Sequence, residues 1–384
     1  MTMQLQLREA VDKVLVAAVI GLLVSVGIGG YFLLTEGHAA FNTTSVGLNW
    51  GLPIVTYDYF IVTSTGMAFI ASLPFVFGLA NFYAVAKRCL WFALATFVGG
   101  GTALMLELGH PIRSLYAIPL NFQYHSPMFW KVLFVGAYVV LLLLLFYRIS
   151  SAPWTRRTGR GLAIALFVAL LGVTMIAGAV FGMMAMRPFW YDGMLPVYFV
   201  VEAVLGGLGF TILLTYIAYG FDQAKMHDKL RQLMTGALPK AFGLLIGVTL
   251  LIVGARAFTG LWSNADGLQV WDHIVTSPLF HLELWIGLVL PLVLMLAPAT
   301  RTSGTSQVAA AVLVIVSLFI GRYEFVIGGQ TVPLFKGSWV PGFIEYTPSL
   351  TEWMLLLLSF SISFLIYAAG EKLFNLAAMP TEQG

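Results

Sequence analysis

Residues 107–131 read ELGHPIRSLYAIPLNFQYHSPMFWK. Long apolar runs flank this stretch, yet it gathers Glu107, His110, Arg113, Tyr116, Asn121, Gln123, Tyr124, His125, Ser126 and Lys131 into one connection. Pro111, Pro119 and Pro127 each remove a backbone donor, which predicts an ordered loop with one short helical turn. Polar connections that begin and end in hydrophobic helices are where membrane proteins keep much of their chemistry.

Working outward, the 384 residues are 59 % hydrophobic and 10 % charged, with a mean hydropathy of +0.90. A soluble fold could not cover so much apolar surface, and several runs exceed the roughly 18 residues needed to cross a bilayer. The expected fold class is an all-α polytopic membrane protein, and the alternating short strands of a membrane barrel are absent. The net charge of +3 comes with no basic stripe, so no nucleic-acid partner is expected. The lone Cys89 rules out a self-contained iron–sulfur cluster, which needs about four cysteines, and rules out a disulfide framework. Beside Arg88, it reads as a packing residue. Arg8 and Lys13 precede an apolar run that lacks a short cleavable h-region, so the run reads as a retained first helix.

About ten spans are expected, near 13–34, 54–80, 88–108, 127–147, 160–184, 194–219, 239–258, 279–297, 307–327 and 349–370, in one integral membrane domain over 1–384. With both termini cytoplasmic, 14 of the 20 basic residues fall inside, and Arg113, Lys131, Arg187, Arg256, Arg322 and Lys336 fall outside or at outer helix ends. The opposite orientation inverts this bias, so cytoplasmic termini are preferred. The outer connections 35–53, 109–126, 259–278 and 328–348 are long and rich in Trp, Tyr, Gly and Pro. An interfacial belt accounts for most of their tryptophans, but loops of this length also invite a docked partner. SPMFWKVLFVGAYVVLLLLL from Ser126 resembles SPLFHLELWIGLVLPLVLML from Ser277, each opening a span from the outer side. Two four-helix bundles over 54–184 and 194–327, flanked by 13–34 and 349–370, follow from a parallel duplication.

Acidic groups inside or at the outer ends of the spans are Asp58, Glu107, Glu202, Glu283 and Glu352, with Lys131, Arg256 and Arg322 at similar depth. Each buried charge costs at least about 2.5–3.5 kcal/mol at a helix centre, so such groups pair or line a polar cavity. A purely architectural alternative has Glu283 pairing with Arg256 or Arg322, and Glu202 alone, merely locking helices together. A b-type haem needs facing histidines, and only His281 falls in a span, so no haem is expected.

Several stretches in register are similar to the NrfD/PsrC family of membrane subunits, particularly its ten-helix branch that contains the HybB hydrogenase subunit. NWGLPIVTYDYFIVTSTG (Asn49–Gly66) resembles that branch's entry to the second span, with Asp58 as the acidic residue. LELGHPIR resembles its acidic-L-G-R-P loop with His110 in place of the arginine, and SPMFW its next helix entry. PFWYDGMLP, FHLELWIGLVLPLVL with Glu283, GRYEFVIGGQTVP with Arg322, and YTPSLTEW with Glu352 continue the likeness. The M-H-Q-S-S-x-G run of many relatives is replaced by TMIAGAVFG (Thr174–Gly182), without the histidine.

The resemblance implies a quinone/quinol-reactive anchor (menaquinone or ubiquinone) in a bacterial or archaeal cytoplasmic membrane, with no metal, haem or cluster of its own. It implies an iron–sulfur subunit docked on the outer face. Behind that would stand a catalytic subunit such as a molybdopterin oxidoreductase, a hydrogenase or a multihaem cytochrome. Asp58, Glu107 and His110 are the expected proton-handling groups, meeting near the outer ends of spans two and three. Tyr57, Tyr59, Phe122 and Tyr124 are expected to wall the ring, with Arg113, Lys131, Glu283 and Arg322 completing the pocket. A secondary transporter with intramembrane carboxylates, or a passive anchor, are the competing readings.

Overall fold

The computed structural model describes residues 2–43, 48–151, 154–263, 267–333 and 342–381. Within them run ten long apolar helices: α1 (Thr2–Thr35), α2 (Leu52–Val76), α3 (Tyr83–Glu107), α4 (Pro127–Ser150), α5 (Arg160–Gly182), α6 (Leu195–Ala218), α7 (Ala237–Trp262), α8 (Pro278–Leu296), α9 (Gly304–Thr331) and α10 (Leu350–Leu373). All ten are long and apolar enough to cross a bilayer, so the chain is an all-α, multi-pass membrane protein.

The even-numbered helices begin on one face, and their sequences show why. Proline occupies the first turn of α2, α4, α6 and α8, where no intrahelical donor is lost. Ser126 and Ser277 cap α4 and α8 by accepting from Met128 N (3.2 Å) and Phe280 N (3.0 Å). Ser349 and Glu352 form a reciprocal capping box at the start of α10. This is the long-loop face. The opposite, short-loop face carries Lys87, Arg88, Arg148, Arg156, Arg157, Arg160, Lys225, Lys229, Arg231, Lys240, Arg301 and Lys372.

Helices α2 to α5 pack as a ring of four (α2–α3, α3–α4, α4–α5, α5–α2), and α6 to α9 as a second ring. α10 lies on α2 and α3, and α1 covers α10. The rings meet chiefly where α2 crosses α6. A Cβ on Gly66 would strike the Ala203 carbonyl, and one on Gly207 would come within 2.5 Å of the Gly66 carbonyl. Small residues let two backbones touch where no hydrophobic effect drives helices together. That contact makes α2 and α6 the interior helices, with 83 % and 72 % of their most apolar windows buried against 22 % for α1.

Two local expectations change. Residues 111–120 form a ten-residue helix, Pro111–Leu120, because Pro111 stands in its first turn where it assists the start. α8 is not a uniform α-helix: Leu282–Val289 is wound as a π-helix, directly at Glu283. Lys336, Trp339 and Asn264 lie outside the described residues.

On the short-loop face His227 caps the helix Asp228–Thr235, its Nδ1 accepting from Leu230 N at 3.2 Å. Burial and the nearby Arg88 hold the imidazole below its ordinary value of 6.5. Such a group costs nothing above pH 6.5 and destabilises this turn progressively as pH falls below it. Amide exchange at Leu230, corrected for its intrinsic rate, is therefore expected to accelerate below pH 6.5. His227→Asn keeps an N-cap without a titrating group, and should flatten that response.

Candidate functional site

Three interior helices are tied together by one guanidinium. Arg322 on α9 ion-pairs with Asp58 on α2 (Nη1 to Oδ2, 3.0 Å) and donates from Nη2 to Glu202 on α6. The three are 3 %, 2 % and 5 % exposed, so both pairs stand out of water. The Asp58 contact lies off the hydrogen-bond axis, leaving Oδ2 and Nη1 without a bond of good geometry. The Phe199 ring lies 3.8 Å from the guanidinium carbon and closes its remaining side. The architectural alternative left Glu202 alone, whereas Arg322 pairs with it.

The polar line continues both ways. On the α2–α5 side, Lys131 of α4 approaches Asp58, its Nζ 5.1 Å from the Tyr57 ring centre. On the α6–α9 side, Tyr198 is a neighbour of Glu202, one turn earlier on α6. Beyond it, Glu283 and Glu324 are neighbours lining one small void, and Ser277 Oγ donates to Glu324 Oε1 at 2.6 Å. The π-wound turns bring Glu283 against Gly321 of α9, and Ser317 Oγ bonds the Glu283 carbonyl at 3.1 Å.

Of the residues singled out by sequence, Asp58, Arg322, Lys131 and Tyr57 come together, with Glu283 one step further along. Tyr59 is buried behind them and donates to the Ile315 carbonyl at 3.0 Å, so it is held by α9 rather than facing a cavity mouth. Glu107 and His110 do not meet Asp58. Glu107 closes α3 a helix turn or more above, near His38 and Glu352, and its carbonyl binds His38 Nε2 at 2.9 Å. His110 and Arg113 are exposed, as are Phe122 (70 %) and Tyr124 (58 %), because the helix Pro111–Leu120 lies on the long-loop face instead of folding inward. These four therefore do not wall the cluster.

Reading the sequence missed Glu324, Tyr198 and the clamp formed by Gln330. Glu324 stands two residues after Arg322, about 200° around a helix, so one turn of α9 aims a cation at α2 and α6 and an acid at α8. Gln330 accepts from Asn49 N and Trp50 N (3.0 and 2.9 Å) and donates to the Trp50 carbonyl (2.9 Å), fixing the entry of α2. Tyr346 reinforces it, accepting from Leu52 N (2.7 Å) and donating to Glu352 (2.6 Å). Burial and the Glu352 carboxylate raise the Tyr346 phenol far above its ordinary value, so it serves as a donor throughout the usable pH range.

The family described as polysulphide reductase, NrfD, matches residues 39–333. The chain belongs to this family. It is 24 % identical over 373 residues, 84 % of each chain, to a selenate reductase subunit of Mesobacillus selenatarsenatis. It is 23 % identical over 394 residues, 94 % of this chain and 93 % of the relative, to an Hdr-like menaquinol oxidoreductase integral membrane subunit of Archaeoglobus fulgidus. Both relatives are named as subunits of oxidoreductases.

Removing Arg322, the one cation between two buried acids, strands both of them, at a cost of about 3–5 kcal/mol. Arg322→Leu should therefore lower yield and thermal stability in detergent sharply. Arg322→Lys keeps the charge but not the fork, and should retain the fold while losing one of the two pairs. Equal stability of Arg322→Leu and the parent would mean the three groups are not coupled as described.

Proposed function

We propose that this chain is the quinone/quinol-reactive membrane anchor of a multi-subunit respiratory oxidoreductase. It exchanges electrons between the quinone pool and an iron–sulfur partner docked on the long-loop face. In this reading that face is the outer, periplasmic one, and both termini are cytoplasmic. The basic side chains gathered on the short-loop face support the orientation.

The carrying observation is the Lys131–Asp58–Arg322–Glu202 line, with Asp58, Arg322 and Glu202 buried and Lys131 half-buried near the long-loop ends of α2 and α4. A quinone takes up two electrons and two protons on reduction, so its carbonyls need a donor and a proton-transfer group shielded from bulk water. Lys131 and the Tyr57 phenol are donors at the right depth. Asp58 stands behind them as the proton-transfer group, and Arg322 holds it in place. Glu107, His110, Arg113, Phe122 and Tyr124 take a second role in this reading. With the exposed Ile112 (75 %), Tyr116 (54 %) and Leu120 (77 %), they form the surface that the iron–sulfur partner covers. The partner in turn passes electrons to or from a catalytic subunit of the molybdopterin, hydrogenase or multihaem type.

The complex purified in mild detergent should release a quinone on solvent extraction, whereas a transporter or a passive anchor should release none. Asp58→Asn should leave the complex assembled and its artificial-dye activity intact while quinone-linked turnover falls at least tenfold, about 1.4 kcal/mol of barrier. His110→Ala or Phe122→Asp should instead weaken co-purification of the partner. Normal quinone turnover in an assembled Asp58→Asn complex would move the chemistry elsewhere. A reporter that works only in the cytoplasm should be active after Arg160 and silent after Trp262, and the reverse pattern would invert the docking face.

A further inference from the structure

A cavity of about 460 Å³ opens in the second helix ring, between the start of α6 and the last turns of α7, with the exposed Tyr191 and Met194 at its mouth. A smaller void of about 30 Å³ lies deeper. It shares Phe189, Tyr198, Arg256 and Trp271 with the first and ends on Glu283 and Glu324. The two share these walls and together extend from the long-loop end to the acid pair. The size of the larger falls in the ordinary range for a small-molecule site, roughly 300–1,000 Å³.

Arg256 is the polar group at its centre. Its guanidinium carbon lies 5.2–5.7 Å from the ring centres of Phe189, Tyr198, Trp271 and Phe325. Among the described residues its one ion-pair partner, Asp192, stands 3.9 Å away and is itself partly exposed. A guanidinium has five donors, and here aromatic faces rather than acceptors surround it. The passage therefore offers flat apolar walls, an under-used fork of donors, and a pair of carboxyl groups at its inner end. An anion is a poor fit: Asp192, Glu202, Glu283 and Glu324 are all close enough to repel it. An uncharged ring carrying carbonyl oxygens satisfies Arg256 without adding charge and stacks on the aromatic walls.

We propose that the α6–α9 ring holds a second seat for a quinone-type headgroup, between Arg256 and the Tyr198–Trp271 wall, separate from the Asp58–Lys131 locus in the α2–α5 ring. The seat is a binding site, and no electron transfer is assigned to it. It rests on the reading that this subunit handles quinone.

The test is photolabelling of the intact complex with a ring-azido quinone, followed by peptide mapping. Label is expected on peptides containing Tyr198 or Trp271, displaced by excess unlabelled quinone. Arg256→Leu should reduce it at least tenfold, with label on α2 and α4 peptides unchanged. Ala255→Phe, at an exposed position lining the cavity, should obstruct the seat without removing a charge and give the same loss. Displaceable label confined to α2 and α4 overturns the second seat and leaves the quinone reading standing. Label at Tyr198 and Trp271 that yields to added phospholipid but not to quinone assigns the cavity to lipid and also overturns the proposal. No displaceable label anywhere in the chain overturns the quinone reading itself.

Discussion

Arg322 holds one positive charge between two carboxylates from two other helices, all three removed from water. With both acids ionised the trio carries a net negative charge, which a low-dielectric interior tolerates poorly. Two things compensate. Lys131 approaches Asp58 from α4, and the polar end of Tyr198 lies near Glu202 from within α6. Neither helps unless α2 and α6 are close enough for one side chain to reach both acids. The backbone contact of Gly66 with Ala203 and Gly207 supplies that closeness, so two glycines and one arginine depend on each other. A larger side chain at Gly66 pushes α2 off α6, widens the gap that Arg322 bridges, and strands a carboxylate.

The same arginine is the junction between the two helix rings. Asp58 ties it to α2 and Glu202 to α6, so one side chain of the α6–α9 ring reaches an acid in each ring. The RYE triplet at 322–324 turns this into a longer line, since its arginine and glutamate face different neighbours from a single turn of α9. The π-wound turns of α8 complete the arrangement by seating Glu283 on Gly321, where any Cβ would collide with the carboxyl. Titratable groups of both rings are thereby gathered along one buried line.

The fold was legible because its signals are one-dimensional. Ten apolar runs, proline and serine at helix entries and the sorting of basic residues all survive projection onto a line, and Asp58, Glu202, Glu283 and Arg322 stood out because charge in an apolar run is conspicuous. Which charge meets which is a matter of rotation and crossing, and sequence spacing does not carry it. The Glu107–Lys131 stretch shows the limit clearly. Its density of polar groups marks it as important, but polar groups collect both in buried sites and on exposed surfaces, and Pro111 starts a surface helix as readily as it ends a buried one. Gln330 and Tyr346 escaped notice for a related reason: their work is to satisfy backbone donors of residues 280 and more positions away, which no local pattern announces.

The interior is also unevenly polar along its depth. In the half nearer the long-loop face lie the charged trio, Lys131 and the acid pair. Towards the other face the buried polar groups are mostly hydroxyls turned back onto their own helices: Ser72 on Ala68, Thr96 on Phe92, Thr211 on Gly207 and Thr215 on Thr211. A hydroxyl committed to the carbonyl four residues earlier has its one proton engaged and adds no charge to the core. The next buried ion pair, Arg88 with Glu371 at 2.5 Å, is at the short-loop face itself. From Glu202 to Thr215 along α6 is about 20 Å of rise, and along that length the interior offers hydroxyls and aromatic rings in place of ions. Placing the costly charges together, close to one face, lets them stabilise one another and share the shielding of the long connections above them. Spread evenly through the same depth, each would bear its desolvation alone.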